Sequence, residues 1–488
     1  VATLSLETRR RLTLVATILG SSLAFIDASV VIVALPTIER DLDLGLTGEQ
    51  WIFLSYSLAL AALYLVGGAL GDRFGRRRVF FWGVIGFAAA SVLAGAAPNG
   101  ATLIVARVLQ GVAGAFLTTN SLALLRAVYA ENAGRAIGLW TSFTSVAVLL
   151  GPPAGGALVE WVSWRWIFFL NLPVAALTLA AAVAGRCDER SMRREGRLDL
   201  PGAALSAVGF GALTYALVEG ADKGFANVWW AGVFAVAALA AFVWVERRVA
   251  EPMLDFKLFR RRNFAAANLE TFLVYGALYG QLVYVQLYLQ FLGFSPFEAS
   301  LLGIPASVIM IVLASRFGAL ADRQGPRLYL TAGPALIGCS LLLLLLVRTR
   351  EDFWYFGVPS LLLFALGLSM LVAPITATAL KSAPQEAAGI ASGINSTVSR
   401  LGSLITVAVI GAVISVVFEH RVGDTGAVPL ARGQTDEALR DASIVAFHTG
   451  ILLAALLAFA GAGAAALWIS DREARGELSE QAPAPAGS

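Results

Sequence analysis

Residues Gly68–Arg78 read GALGDRFGRRR, and residues Gly318–Leu328 read GALADRQGPRL. Seven of the eleven positions agree, at an offset of 250 residues. Both copies carry an acid followed by arginines, with glycines that permit a tight turn and a close helix approach. A second echo lies at nearly the same offset, AGRAIG at 133–138 and AAGIASG at 387–393. A chain that states two short polar motifs twice in the same order is built from two related halves.

The sequence around the motifs says what the halves are made of. Of 488 residues, 58% are hydrophobic and 14% charged, whereas a soluble domain carries about 25% charged residues. The mean hydropathy is +0.75. Charged and Pro/Gly-rich joints cut the chain into apolar runs of about 18–28 residues, and about 20 helical residues cross a hydrocarbon core. The runs are continuous rather than alternating, so helices rather than a closed barrel satisfy the backbone in lipid. The spacing predicts fourteen spans: 11–36, 49–70, 78–97, 101–126, 135–159, 165–185, 200–221, 228–246, 263–290, 298–321, 328–347, 354–380, 387–418 and 445–470.

An even number places both termini on one side. Arg9, Arg10 and Arg11 precede the first span, and basic residues favour the face they define by about three to one, which makes that face cytoplasmic. The net charge of +3 therefore reports topology and gives no sign of nucleic-acid binding. The Ala/Gly/Arg-rich usage points to a bacterium, and hence to a multi-pass protein of its cytoplasmic membrane.

Both motif copies fall in cytoplasmic loops, between spans 2 and 3 and between spans 10 and 11. Six helices occupy about 175 residues, so the offset of 250 leaves room for an insert, which spans 7 and 8 fill. The expected fold is all-α: a six-helix bundle (1–185), a two-helix insert with cytoplasmic linkers (186–262), a second six-helix bundle (263–470) and a disordered tail (471–488). Parallel repeats of this kind mark secondary transporters that bind at the midplane and rock between two open states.

Charges at membrane depth are costly and functional by default. Asp27 lies about 24 Å into span 1 by helical rise. Arg107 lies at a similar depth in span 4, so Asp27 either carries protons or substrate, forms a structural ion pair with Arg107, or does both in turn. Glu270 in span 9 is the second deep acid, although eight residues past Arg262 it can also reach the interface. Near it Tyr275, Tyr279 and Gln286 recur at i, i+4 and i+11, one helical face suited to a wet cavity. Aromatic rings beside carboxylates suit lipophilic cations. Arg400, beside Asn395 and Ser396 in span 13, has three candidate partners: lipid phosphate, substrate or Glu270. Cys187 and Cys339 lie at a cytoplasmic end and within a span, so no disulfide is expected.

The doubled loop resembles the signature of the major facilitator superfamily. IDASVVIVALP (26–36), GPPAGG (151–156) and WRWIFFLNLP (164–173) resemble its fourteen-helix drug:proton antiporter branch over nearly the whole chain. Three positions depart from the branch pattern: Ile32 where it carries Asn, Ser29 where it carries Thr, and Ala147 where it carries Gly. The resemblance implies that Gly68, Asp72, Arg73, Gly75 and Arg76, with Asp322 and Arg323, latch the halves on the cytoplasmic side. It implies that Gly151, Pro152, Gly155 and Gly156 form the antiporter motif, whose small residues and kinking proline limit ion leak.

The function expected is proton-coupled export of amphipathic, cationic, drug-like compounds by alternating access, with Asp27, Arg107 and Glu270 as coupling groups and Tyr275, Tyr279, Gln286, Asn395 and Arg400 lining the cavity. Export or flipping of an endogenous lipid or metabolite is the alternative. The partners are protons, the substrate and membrane lipids, and a monomer is expected. Only His420 and His448 are present, and no P-loop, clustered metal ligands or nucleophile–base pair appears, so enzymatic and ATP-driven chemistry, a metal and a cofactor are not expected.

Overall fold

A computed structural model describes residues 5–129, 133–185, 200–249, 256–383, 388–423 and 426–474, and every regular element among them is helical. In chain order the long helices are α1 (Leu6–Leu42), α2 (Gly45–Phe74), α3 (Arg76–Gly95), α4 (Gly100–Val128), α5 (Ala133–Trp161), α6 (Trp166–Ala184) and α7 (Leu200–Lys223). There follow α8 (Phe225–Glu246), α9 (Arg262–Phe291), α10 (Ile304–Gln324), α11 (Arg327–Leu344), α12 (Val358–Lys381), α13 (Ala388–Val422) and α14 (Glu437–Trp468). Twelve are long and apolar enough to cross a membrane among the described residues. The other two, α2 and α5, stand at the second and fifth expected spans with 30 and 29 residues.

Local chemistry sets the ends. The Ser5 and Asn99 side chains accept from Thr8 N and Thr102 N and so cap α1 and α4. Gly75 (φ 98°) separates α2 from α3, and Gly325 (φ 106°) ends α10. These equivalent glycines of the two motif copies adopt the same left-handed turn, which a side chain would strain.

Several boundaries differ from expectation. α1 continues past Pro36 to Leu42, because proline is tolerated in an apolar helix when neighbouring groups take up the loosened carbonyls. Gln290 Nε2 donates to Val33 O (2.9 Å), in the turn before Pro36. α6 is interrupted at Leu170, and the tenth span begins as a separate turn, Pro296–Leu301. Asp471–Ala474, expected as disordered tail, forms a helical turn, with Asp471 Oδ1 accepting from Arg327 N (3.0 Å). Cys187 and residues 475–488 lie outside the described residues.

Packing divides the chain into two units. The first holds α1–α8 with Gln286–Leu301 and Phe418–Arg440; the second holds Leu254–Val285, Leu302–Val417 and the chain from Asp441 on. In the first unit α1 packs on α4, α5 and α6, while α2 and α3 pack on α4. Leu23, Tyr56, Phe80, Phe87 and Leu117 form its apolar core. The inserted α7–α8 pair docks on α2, where Trp51 Nε1 donates to Glu219 Oε1 (2.8 Å) and the Trp51 and Tyr215 rings meet at 6.3 Å.

Glycines set the close crossings in both units. A Cβ on Gly155 would lie 2.4 Å from Val30 Cγ1, so α5 lies directly against α1. In the second unit a Cβ on Gly402 of α13 would lie 2.3 Å from Phe272 O of α9. Small-residue crossings of this kind gain packing where lipid gives no hydrophobic drive.

Candidate functional site

The deep charges of the first unit form one buried cluster. Asp27 of α1 is 2% exposed and Arg107 of α4 is fully buried. Arg107 Nη1 bonds Asp27 Oδ2 in an ion pair. Asp27 Oδ1 accepts from Gln110 Nε2 (3.1 Å) and Asn171 Nδ2 (3.0 Å). Both amides also donate to Ser91 Oγ of α3, at 2.9 and 3.2 Å. Arg107 Nε donates to Ile52 O (3.2 Å), Nη1 to Gln110 Oε1 (2.8 Å), and the guanidinium lies 4.3 Å from the Tyr56 ring centroid. Five helices thus meet on one carboxylate–guanidinium pair. Such a pair is tolerated only when further hydrogen bonds satisfy it, and here Arg107 Nη2 alone lacks a partner.

Asp27 and Arg107 are brought together as the sequence allowed. Ser91, Gln110 and Asn171 were missed. Gln110 follows Arg107 by one helical turn, and Asn171 is the one amide side chain of the WRWIFFLNLP stretch; those were the available signals. Trp164 and Arg165 of that stretch act elsewhere, both donating to Asp41 Oδ2 (2.7 and 3.0 Å).

The second unit holds the other deep acid in different surroundings. Glu270 of α9 is fully buried, and neither carboxyl oxygen has a hydrogen-bond partner among the described residues. It faces α14 at Gly461, whose added Cβ would stand 3.8 Å from Glu270 Cγ. Arg400 is partly exposed on α13 and makes no ion pair with Glu270. Asn395 is occupied in joining α13 to α9, through Thr271 Oγ1 (2.9 Å) and Asn268 Oδ1 (3.4 Å). Tyr275 and Tyr279 are partly exposed one turn apart, and Gln286 Nε2 is buried without a partner.

The two motif loops repeat one interaction. Arg77 Nη2 donates to Ala182 O near the end of α6 (3.1 Å), and its counterpart Arg327 donates through Nε to Ala466 O near the end of α14 (3.0 Å). Both place a cation on the negative end of a helix. Arg76 Nη1 donates to Ala123 O of α4 (3.3 Å), and Arg73 lies over the Phe74 ring. Asp322 pairs with Lys381 Nζ (2.7 Å), while Arg323 is exposed. Gly68 has open space beside it, and the Asp72 side chain lies outside the described residues.

The GPPAGG stretch lies in α5, where Pro152 interrupts the helix ladder. Gly151 and Gly155 meet Ser29 and Val30 of α1, and Gly156 meets the Pro296–Leu301 turn, 2.7 Å from Pro296 O to an added Cβ. Glu160 Oε2 accepts from Phe297 N (3.1 Å), and the Trp161 and Phe297 rings lie 4.9 Å apart.

These features, a doubled turn, a buried ion pair and fourteen long helices among the described residues, agree with what comparison finds. Residues 17–407 match the Major Facilitator Superfamily. The chain belongs to that superfamily. Superfamily membership makes it a multi-pass membrane transporter and not an enzyme. Multidrug resistance protein Stp of Mycobacterium tuberculosis is 38% identical over 417 residues, 83% of this chain and 76% of its own length. Puromycin resistance protein pur8 of Streptomyces alboniger is 34% identical over 92% of this chain and 90% of its own. The tetracenomycin C resistance and export protein of Streptomyces glaucescens is 34% identical over 84% and 76%. Among solved structures, an inward-facing bacterial homologue of the human lysosomal transporter Spinster superposes with a TM-score of 0.67 at 17% identity, over 98% of this chain and 99% of its own, a likeness of fold.

Proposed function

We propose that this superfamily member is a proton-coupled exporter of amphipathic, cationic, drug-like compounds that works by alternating access, with both termini in the cytoplasm. The observation that carries the proposal is the Asp27–Arg107 pair and the five helices joined on it. A proton arriving on Asp27 removes the charge that holds Arg107, and an unpaired buried guanidinium is costly enough to drive repacking. Protonation is thereby turned into helix movement, which is what exchange of a proton for a substrate needs.

Glu270 supports a second proton-carrying position. An ionised carboxylate without a partner in such surroundings costs several kcal/mol, so a proton bound there leaves only when the packing around it opens. Tyr275 and Tyr279 on the same helix offer ring faces to a lipophilic cation. Relatives named for multidrug, puromycin and tetracenomycin C resistance support drug-like cargo. Arg76 and Arg77, held on helix carbonyls within their own unit, with Asp322 and Lys381, supply the charged turns of the cytoplasmic latch.

The test is transport in liposomes with a trapped pH dye and an imposed proton gradient. Lipophilic cations are expected to trigger proton movement in the wild type, and Asp27→Asn to abolish it. Gradient-independent transfer of a lipid analogue, with no cation-triggered proton movement, would refute the antiporter reading.

A further inference from the structure

One buried carboxyl has no part in the site above. Glu49, in the second turn of α2, is 5% exposed, and among the described residues no hydrogen bond or ion pair reaches it. The charged group facing it is Glu39, in the last turn of α1. Glu39 is partly exposed, and its backbone carbonyl accepts from Leu44 N (3.2 Å) in the short turn that leads into α2.

The other charges nearby are engaged elsewhere. Asp41 is held by Trp164 and Arg165. From α7, Glu219 is paired with Lys223 (2.8 Å) and bonded to Trp51. From α4, Arg107 is on Asp27 and Ile52 O. Arg40 and Asp43 act on Glu39 rather than on Glu49. Glu49 is thus a carboxyl largely withdrawn from water near a second carboxyl, with no cation on it among the described residues. Glutamine or leucine would fit the same position at lower cost, so packing does not explain an acid here.

Its position does. Glu49, Ile52 and Tyr56 recur at i, i+3 and i+7 and share one face of α2. Ile52 O and the Tyr56 ring are the two α2 groups that hold Arg107. Glu49 therefore stands about 4.5 Å of helical rise from the Arg107 anchor, on the side toward the α1–α2 turn. Gln50 Oε1 and Ser55 Oγ, also buried on this helix, lack partners and are polar groups of the kind a water satisfies.

We propose that Glu39 and Glu49 form the port through which protons pass between the outer solvent and the Asp27–Arg107 pair. Glu39 takes a proton at the solvent edge and returns to carboxylate by passing it to the Glu49 carboxylate. Glu49 in turn delivers it to Asp27 when the ion pair with Arg107 opens. The port rests on the proton-coupled reading above and adds to it the route and the side of entry.

The test uses the full chain in liposomes of one orientation, with tetraphenylphosphonium as the cation and the outside pH varied. Glu49→Gln is expected to slow cation-triggered proton movement about tenfold and to flatten its dependence on outside pH. Glu49→Asp, which keeps the carboxyl, should stay within about threefold of wild type. Glu39→Gln should shift the outside pH at which the rate is half-maximal. The carbonyl band of a protonated carboxyl that titrates with outside pH in infrared difference spectra should be missing in Glu49→Gln. If wild type couples and Glu49→Gln keeps its rate and pH profile, the port is wrong and the antiporter stands. If wild type moves no protons, both are wrong. Should Glu49→Gln not assemble, the Glu39→Gln profile decides: a profile identical to wild type overturns the port.

Discussion

Asp27→Asn and Arg107→Gln, singly and together, form a double-mutant cycle on the buried pair. Asp27→Asn leaves a guanidinium that is fully buried among Ile52 O, Gln110 Oε1 and the Tyr56 and Phe168 rings, with no anion on it among the described residues. Breaking a buried pair from one side costs about 3–5 kcal/mol, because a charge is left behind. Arg107→Gln leaves Asp27 with two amide donors, Gln110 and Asn171. Hydrogen bonds to a charge contribute about 1.5–3 kcal/mol each, so this change is expected to cost less, about 2–3 kcal/mol. The double variant strands no charge and should cost about 1–3 kcal/mol. The sum of the singles then exceeds the double by about 2–7 kcal/mol, centred on about 4.5 kcal/mol, well above the additivity error of about 0.5 kcal/mol. Reversible unfolding in mixed micelles measures all four corners. Equal single effects, or a coupling below about 0.5 kcal/mol, would mean that the pair is not what holds these five helices together.

Glu270→Gln is expected to behave in the opposite way: with no partner to lose, unfolding stability should stay within about 1 kcal/mol of wild type, while proton movement in liposomes falls. Gly155→Leu should abolish transport and cost about 1–3 kcal/mol in the same unfolding assay, since a Cβ there already sits 2.4 Å from Val30 Cγ1 and α1 must move away from α5. Arg77→Ala and Arg327→Ala should each lower thermal stability in detergent by about 1–2 kcal/mol, because each uncovers a carbonyl near a helix end. A large effect from one and none from the other would show that the repeat is conserved in shape alone.

The number of helices and the pairing of Asp27 with Arg107 were legible because both rest on strong one-dimensional signals. Apolar length counts spans, and two opposite charges at one depth, one in span 1 and one in span 4, have few alternatives to each other. Ser91, Gln110 and Asn171 were not legible. An uncharged polar residue in an apolar run usually serves helix packing, as Asn395 does with Thr271 and Asn268, and nothing in the spacing links α6 to α1. Glu49 escaped notice because it stands at the edge of its span, where an acid reads as interfacial; its burial comes from packing with other helices. Pro36 read as a helix end, yet α1 runs on to Leu42. Arg77 and Arg327 agree between the motif copies, but the carbonyls they cover lie more than 100 residues away in sequence.

What the halves share and what they do not follows a physical division. The turn glycines Gly75 and Gly325, the helix-end arginines Arg77 and Arg327, and the glycine crossings at Gly155 and Gly402 recur, and all of them set backbone geometry. The buried acids do not recur: Asp27 has a cation and two amides, whereas Glu270 has nothing. A symmetric pair of bundles can rock about its axis only if the two scaffolds match. On the proposed reading, vectorial exchange requires the opposite of the titrating groups. Two carboxyls with the same surroundings would load and unload together, and no order of events would distinguish proton entry from proton release. The Asp27 carboxylate is tied to Arg107 and two amides, while the Glu270 carboxyl has no hydrogen-bond partner among the described residues. A repeat that duplicates its frame and differentiates its acids therefore has the asymmetry that coupling needs.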